Sequence, residues 1–487
     1  MVQTEKRTVY ATLDIGTSQI KLGVYCPAIS ERIIVIGSLG NQLSYGDNGE
    51  VRADYNLIRE QSFRLFTQLG AFLKREKITE LQLGICGHVS SLFEWNRHTR
   101  APTPVPFPIW LDTSCYGSLA KYNEVMGNGK SKDIIGTFLP AGTNWLFTKL
   151  LYRKDLAPTI DSIFLQVGDA LYFDLCGGFK THFSSQISMV DLRTRNYSST
   201  LMKELELNYA CLPEISYDAT HIGIEQIKVF GFPDDSFVFP AMADLYTSLY
   251  GLRLKDKEGF VLANTSEQAG AYYSNRPAML DNFLSISFAD GFVNYGSTNT
   301  GGNVVNWFLE SVLGKTVTAD LLNELTIKAA LIDPEHTPII LPYLQGERAP
   351  LWNSRLTASL LELKSSHTEI HLFRAILEAI AFARRQCFVQ LGYDDLALIK
   401  IGGGSSRNEF WNSIRATVLN KPMMLADEKE LAITGVIDYM IAVRKDVVPK
   451  PAIDFSLIQP QQELVLNYES KYRKFINYQK VIADCSL

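Results

Sequence analysis

The chain has 487 residues, 46% of them hydrophobic and 20% charged, and a net charge of -5. That length is too great for one hydrophobic core, so two or three domains are expected, and with no basic excess to neutralise phosphates the balance argues against nucleic acid as the main partner. Seven scattered cysteines, an odd number with no CxxC spacing, argue against a disulfide framework and a zinc site and fit a reducing compartment. The opening MVQTEKRTVYATLDIG carries no long apolar run ahead of its first strand, and no apolar stretch reaches the roughly 20 residues of a membrane span. A cytoplasmic protein with no membrane partner is expected.

Residues 9–13 are an apolar run of strand type, followed by the polar turn Asp14-Ile15-Gly16-Thr17-Ser18. Ile20, Leu22 and Val24 then alternate, with Lys21 on the opposite face. The reading is a β-hairpin whose turn can meet an anion. Gly16 lets backbone N–H groups approach, Thr17 and Ser18 add hydroxyls, and Asp14 can hold Mg²⁺ through hard oxygen. An ordinary polar turn uses the same residue types. Residues 32–39 read as a third strand, 55–76 as an amphipathic helix and 81–85 as a fourth strand, a β-β-β-α-β order. The loop that follows holds His88, Ser90 and Ser91, either bonded to a ligand's hydroxyls or satisfied within a strand-end turn.

A four-proline connector over 101–108 delivers Trp110 and Asp112. Such a ring covers C–H faces and such a carboxylate accepts hydroxyl protons, as a polyol needs; a buried Trp and a helix-capping Asp is the plainer alternative. Asp244 follows a strand edge at 237–240 and precedes an apolar helix, so it too reads as a base or as a cap. The charged turn 255–259 marks a boundary, giving domains 1–254 and 255–487. A second hairpin at 260–271 carries Asn264-Thr265-Ser266-Glu267. A strand at 398–402 then opens into Gly402-Gly403-Gly404 and a helix start at Asn408.

Two phosphate-type hairpins followed by a glycine-rich turn resemble the superfamily of actin, the heat-shock ATPase chaperones and the sugar kinases. The segments between them (Trp110-Leu111-Asp112, Gly301-Gly302-Asn303, and Tyr343-Leu344-Gln345-Gly346-Glu347-Arg348-Ala349-Pro350) resemble the FGGY carbohydrate kinases, and within them sedoheptulokinase- and xylulokinase-like members, over about residues 8–445. The resemblance implies an α/β fold of two ribonuclease H-like (actin/hexokinase-type) domains with a central cleft, the first binding sugar and phosphate, the second nucleotide. It implies an ATP- and Mg²⁺-dependent transfer to a small sugar, a ketose at a primary hydroxyl. Asp244 is then the base and Asp14 the Mg²⁺ ligand. Thr17, Ser18, Gln19, Lys21 and Thr265 hold phosphates, Gly403, Gly404 and Asn408 line the adenosine site, and His88, Ser90, Trp110 and Asp112 shape the sugar site.

The sequence departs from the family pattern at Ser90, where histidine is usual, at His182, where aspartate is usual, and at Asn264 and Glu267, where glycines are usual. Asn264 is a mild change if it takes left-handed backbone, whereas Glu267 either repels a phosphate or points away. Glu347 and Arg348 are expected to pair and hold a loop. The runner-up reading is a catalytically impaired sugar- or nucleotide-binding regulator of the same fold. A chaperone-like ATPase ranks last, since no substrate-binding module follows residue 445. A homodimer is compatible with every one of these readings.

Overall fold

A computed structural model describes residues 7–99, 101–103, 106–154 and 162–485. Pro104 and Val105 of the expected connector lie outside the described residues. Contacts divide the chain into two compact units. The first takes residues up to Arg253 together with Glu430–Ala452, and the second takes Leu254–Lys429 together with residues from Ile453 onward. The expected single cut between 254 and 255 thus meets only the first crossing. Residues 430–452, assigned by that cut to the second domain, contact the first unit.

In the first unit, β1 (Thr8–Ile15), β2 (Gln19–Tyr25) and β3 (Ile34–Gly40) form an antiparallel meander. Helix α1 (Tyr55–Arg75) then carries the chain to β4 (Glu80–Gly87), which lies parallel to β1. β5 (Asp235–Val238) and the short pair Met242–Ala243 extend the sheet along the far edge of β4. Both faces of this sheet are covered. Val9, Ala11, Leu13 and Ile15 point into a core with Ile58, Leu65, Phe66 and Leu69 of α1. Tyr10 and Cys86 point into another core with Val436, Ile437 and Met440 of the helix Leu431–Arg444. Alternation along β1 therefore serves two cores at once, which is why its sequence reads as a nearly unbroken apolar run.

The second unit repeats the plan. β6 (Glu258–Ala263) and β7 (Glu267–Tyr273) form a hairpin, β8 (Leu284–Phe288) and β9 (Gly291–Ser297) continue antiparallel, and the sheet runs β8-β9-β7-β6. After α3 (Glu369–Gln390), β10 (Leu398–Gly402) returns parallel to β6. α4 (Glu409–Leu419), β11 (Met423–Ala426), β12 (Phe455–Ile458) and α5 (Gln462–Cys485) complete it. Both units thus carry the hairpin, third strand, helix and parallel strand of the expected order. In each, a glycine-bearing loop leaves the parallel strand beside the hairpin turn. Among the described residues no helix is long and apolar enough to cross a membrane.

Candidate functional site

In the first unit the site grows from the register of three neighbouring strand ends. Asp14 on β1 pairs across to Cys86 on β4, and Cys86 pairs on its other side with Met242. Asp14 and Asp244 therefore flank the end of β4. The Cys86 thiol donates to Asp14 Oδ1 at 3.6 Å. Gly87 is required here, because a Cβ at this position would stand 2.7 Å from the Ile15 carbonyl oxygen.

Asp244 is the first residue of α2 (Asp244–Gly251); Ala243 occupies the cap position. It stands in the first turn rather than at the cap position, and still binds a first-turn N–H. Leu245 N–H donates to its Oδ1 at 2.7 Å. α2 is fixed from behind by the helix Leu431–Arg444, where Gly251 and Gly435 allow the backbones to touch: a Cβ on either would collide with the facing carbonyl. It is fixed from the front by His182. Ser184 binds the His182 ring through Nδ1 (2.8 Å) and accepts from Ala243 N–H (3.1 Å), while His182 N–H donates to the Ala241 carbonyl (3.2 Å). Burial, with Arg195 adding to it, holds the His182 ring down to about 3, so it stays neutral and serves the loop before Asp244.

The two carboxylates have unusual proton affinities. Burial pushes Asp14 up to about 7, the nearby Asp244 charge adds to it, and the Cys86 thiol and Lys21 oppose it. Burial pushes Asp244 up to about 6 against the pull of Leu245 N–H. Lys21 does not relieve this negative charge alone, because both Glu430 carboxylate oxygens lie 2.9 Å from its ammonium. Paired carboxylates with so little cationic compensation suit a divalent cation held by one hard oxygen plus water and phosphate oxygens. No cluster of three or more His, Cys, Asp or Glu side chains able to hold a metal occurs among the described residues.

The hairpin turn is shaped by Asn41, whose side chain donates to Gly16 O (3.0 Å) and whose N–H donates to Ser18 O (2.8 Å). Thr17 is half-buried, Ser18 and Gln19 are exposed, and the Trp110 indole N–H donates to Thr17 Oγ1 (3.1 Å). Asp112 departs from its expected role. Its carboxylate is buried and spent on the loop, accepting from Val51 N–H (2.9 Å), Ser114 N–H (2.9 Å) and Ser114 Oγ (2.5 Å). It braces the segment that presents Trp110, with Oδ1 filled by Ser114 and Oδ2 held by Val51 N–H.

His88 is buried, and neither of its ring nitrogens has a hydrogen-bond partner among the described residues. Burial lowers its pKa to about 4, so at neutral pH it offers one donor and one acceptor. It lines a small cavity with Val89, Gln166, Asp169 and Ser185. Ser90 stands in left-handed backbone (φ 59°), held there by its N–H donating to Gln166 Oε1 at 2.5 Å.

In the second unit three loops are tied together. Gly302 N–H donates to Asn264 O (3.1 Å), Asn303 N–H to Thr265 O (3.0 Å), and Gly404 N–H to Asn264 Oδ1 (3.2 Å). Asn264 is not among the residues with positive φ; its value is the amide that latches the glycine turn. Gly403 does use left-handed space (φ 103°), and its Cβ would stand 2.7 Å from the Ala263 carbonyl oxygen. Thr265 and Gly404 lie open at this surface. Asn408 departs from expectation: its Oδ1 caps α4 through Trp411 N–H (2.9 Å) and its Nδ2 donates to Thr326 (2.8 Å). Both ends of the amide are spent on structure.

Glu267 turns inward, fully buried, with Arg415 Nη2 at 2.5 Å and Arg384 Nε at 3.5 Å. It is thus directed away from the hairpin surface. Glu347 is paired with Arg384 (3.8 Å) rather than with the Arg348 side chain, and its Oε1 accepts the N–H groups of Asn299 (2.6 Å) and Arg348 (2.8 Å). Sequence reading missed Glu430, Gln166, Asn41 and the Arg384–Arg415 pair. Each acts through a partner far along the chain, and only Gln166, beside Asp169 ahead of an apolar helix, carried a local signal.

The family's N-terminal-domain profile matches residues 9–245 and its C-terminal-domain profile matches residues 259–441. The chain belongs to the FGGY family of carbohydrate kinases. This kinase is 25% identical over 497 residues to the xylulose kinase of Lactococcus lactis subsp. lactis (strain IL1403), with 95% of this chain and 94% of the relative covered. It is 21% identical over 458 residues to the glycerol kinase of Aquifex aeolicus (strain VF5), with 88% of each covered. The ligand-bound xylulose kinase from Lactobacillus acidophilus has the same fold, with a TM-score of 0.85, 19% identity and 98% of each chain covered. As a member of this family the protein is a phosphotransferase acting on a carbohydrate hydroxyl.

Proposed function

We propose that this kinase transfers the γ-phosphoryl group of ATP to a primary hydroxyl of a small ketose, of the xylulose or sedoheptulose kind. The observation that carries the substrate class is the neutral, unpartnered His88 imidazole at the end of β4, one donor and one acceptor beside a water-sized cavity that it lines with Gln166 and Ser185. A sugar hydroxyl, donor and acceptor at once, suits that imidazole, and no lysine or arginine lines the cavity to attract a carboxylate. Full-length similarity to a xylulose kinase points the same way.

Asp244 is the proposed base. As the sugar oxygen bonds to phosphorus and the bond to the departing ADP oxygen breaks, the hydroxyl proton passes to the Asp244 carboxylate. Thr17 and Ser18 hydroxyls and the turn's N–H groups beyond Gly16, whose own N–H is closed on Gln19 O, hold phosphate oxygens, with Thr17 oriented by Trp110. Lys21 joins them only by exchanging its bond to Glu430. Thr265, Gly403 and Gly404 are the proposed nucleotide contacts of the second unit, with Asn408 as the brace of that turn. Asp14 fits Mg²⁺, which would supply charge neutralisation to the phosphates; a bound cation also returns the Asp14 carboxylate to its charged form.

Two expected results follow from this reading. With MgATP, D-xylulose or a longer ketose gives a lower KM than glycerol or gluconate, and phosphorus-coupled carbon NMR finds the new phosphate on a terminal carbon. Gluconate as the preferred acceptor would overturn the ketose assignment. In the pH profile, the base must be unprotonated to accept a proton, so kcat falls as pH drops through about 6, the Asp244 value. A profile flat from pH 5 to 8 would contradict it.

A further inference from the structure

Glu267 closes the second hairpin. It pairs across the turn with Ala263, and its carbonyl accepts Thr298 N–H (3.0 Å) and Oγ (2.9 Å). Its carboxylate is fully buried beneath Asn264-Thr265-Ser266, against Arg415 of α4 and Arg384 of α3. Arg384 bridges onward to Glu347, whose Oε1 fixes the backbone at Asn299 and Arg348. Arg415 is held over the Trp411 ring (3.8 Å) and by Asn412 Oδ1 (2.9 Å), nearly two turns into the helix that follows the glycine turn. One charge-balanced network, two carboxylates and two guanidinium groups, therefore reaches under the hairpin, the loop leading to Gly301–Gly302 and the helix behind Gly403–Gly404. It is not saturated: the three Arg384 guanidinium nitrogens and Glu267 Oε2 make no hydrogen bond among the described residues, and Arg384 meets the two carboxylates only as ion pairs at 3.5 and 3.8 Å. Buried ion pairs of this kind add little net stability over apolar side chains of like volume, so the contacts they fix are what distinguishes them.

We infer that Glu267, together with Arg415 and Arg384, is a positioning residue for the nucleotide phosphates, setting the hairpin and the glycine turn relative to each other within the second unit. This rests on the proposal that those two loops hold the nucleotide. The role separates from a merely structural one because charge balance can be restored without restoring the hairpin's anchor. In Glu267→Gln both arginines lose a counter-charge. In the double variant Glu267→Gln/Arg415→Met one cation is removed with the anion, which leaves Arg384 balanced by Glu347.

The experiment uses the full chain and MgADP as the probe, with calorimetric Kd, thermal midpoint, and KM for ATP and for sugar. Glu267→Gln is expected to lower the midpoint and weaken MgADP roughly tenfold, with KM for sugar unchanged. The double variant is expected to regain the midpoint to within about 2 °C while MgADP stays weakened. Recovery of MgADP affinity together with the midpoint would overturn the inference, as would wild-type affinity in Glu267→Gln. Wild-type protein that fails to bind MgADP at all would overturn the nucleotide reading itself, and the inference with it.

Discussion

Asp244→Asn is expected to lower kcat for sugar phosphorylation about 10³-fold while MgATP binding stays within about twofold of wild type. Asparagine keeps the shape of the side chain and keeps an oxygen for Leu245 N–H, so α2 and its packing against the helix Leu431–Arg444 have no reason to move. What it loses is proton affinity. The loss should appear in kcat, since the proton leaves the sugar only as the new P–O bond forms. Steady-state kinetics with a calorimetric check on nucleotide affinity separate the two effects. A variant with wild-type kcat would mean another group takes the proton.

Asp14→Asn is expected to make the protein more stable at pH 8 and inactive. The folded-state pKa of Asp14, about 7, lies above the ordinary carboxylate value of 3.8. The native state is therefore favoured by protonation; that contribution is complete below 3.8 and is lost as pH rises through 7. At pH 8 wild type carries a buried charge that it would shed if it could. The rise from the ordinary value corresponds to about 4 kcal/mol at most, and with Asp14 still partly open to solvent about 2 kcal/mol is expected. Thermal unfolding without metal or nucleotide should put the variant about 3 °C above wild type at pH 8, and level with it at pH 4. Adding Mg²⁺ and nucleotide should raise wild type more than the variant, which keeps the nucleotide contacts and loses the cation ligand. A variant less stable than wild type at both pH values would show that Asp14 is a structural carboxylate. The trade of stability for charge is what a phosphate-and-cation site requires.

The hairpin that carries Asp14 was legible because two physical signals coincided in it. Period-2 alternation gave the strands, and the turn needed the small and hydroxylic residues that phosphate recognition also needs. Asp244 was legible only through the family resemblance, since an acid at the start of a helix has an equally good structural explanation. The side-chain commitments were not legible. Asp112 and Asn408 match family positions, but whether a carboxylate or an amide has an unspent atom depends on backbone N–H groups elsewhere, such as Val51 for Asp112. Lys21 and Glu430 lie 409 residues apart, and Glu267 and Arg415 lie 148 apart. No local pattern records such pairs. The departures at Asn264, Glu267 and His182 read as losses in sequence because the family residue was missing. In the fold each is tied in: Asn264 to Gly404, Glu267 to its two arginines, and His182 to the loop before Asp244.

The most direct test is ADP release from MgATP by wild-type protein, with and without each member of a panel of ketoses, polyols and sugar acids. The account predicts that a ketose raises ADP release at least about 100-fold over the sugar-free rate, because water is a poor substitute for a bound hydroxyl beside Asp244. Tight nucleotide binding with no carbohydrate raising the rate would contradict it and leave a nucleotide-binding protein of this fold without the transfer.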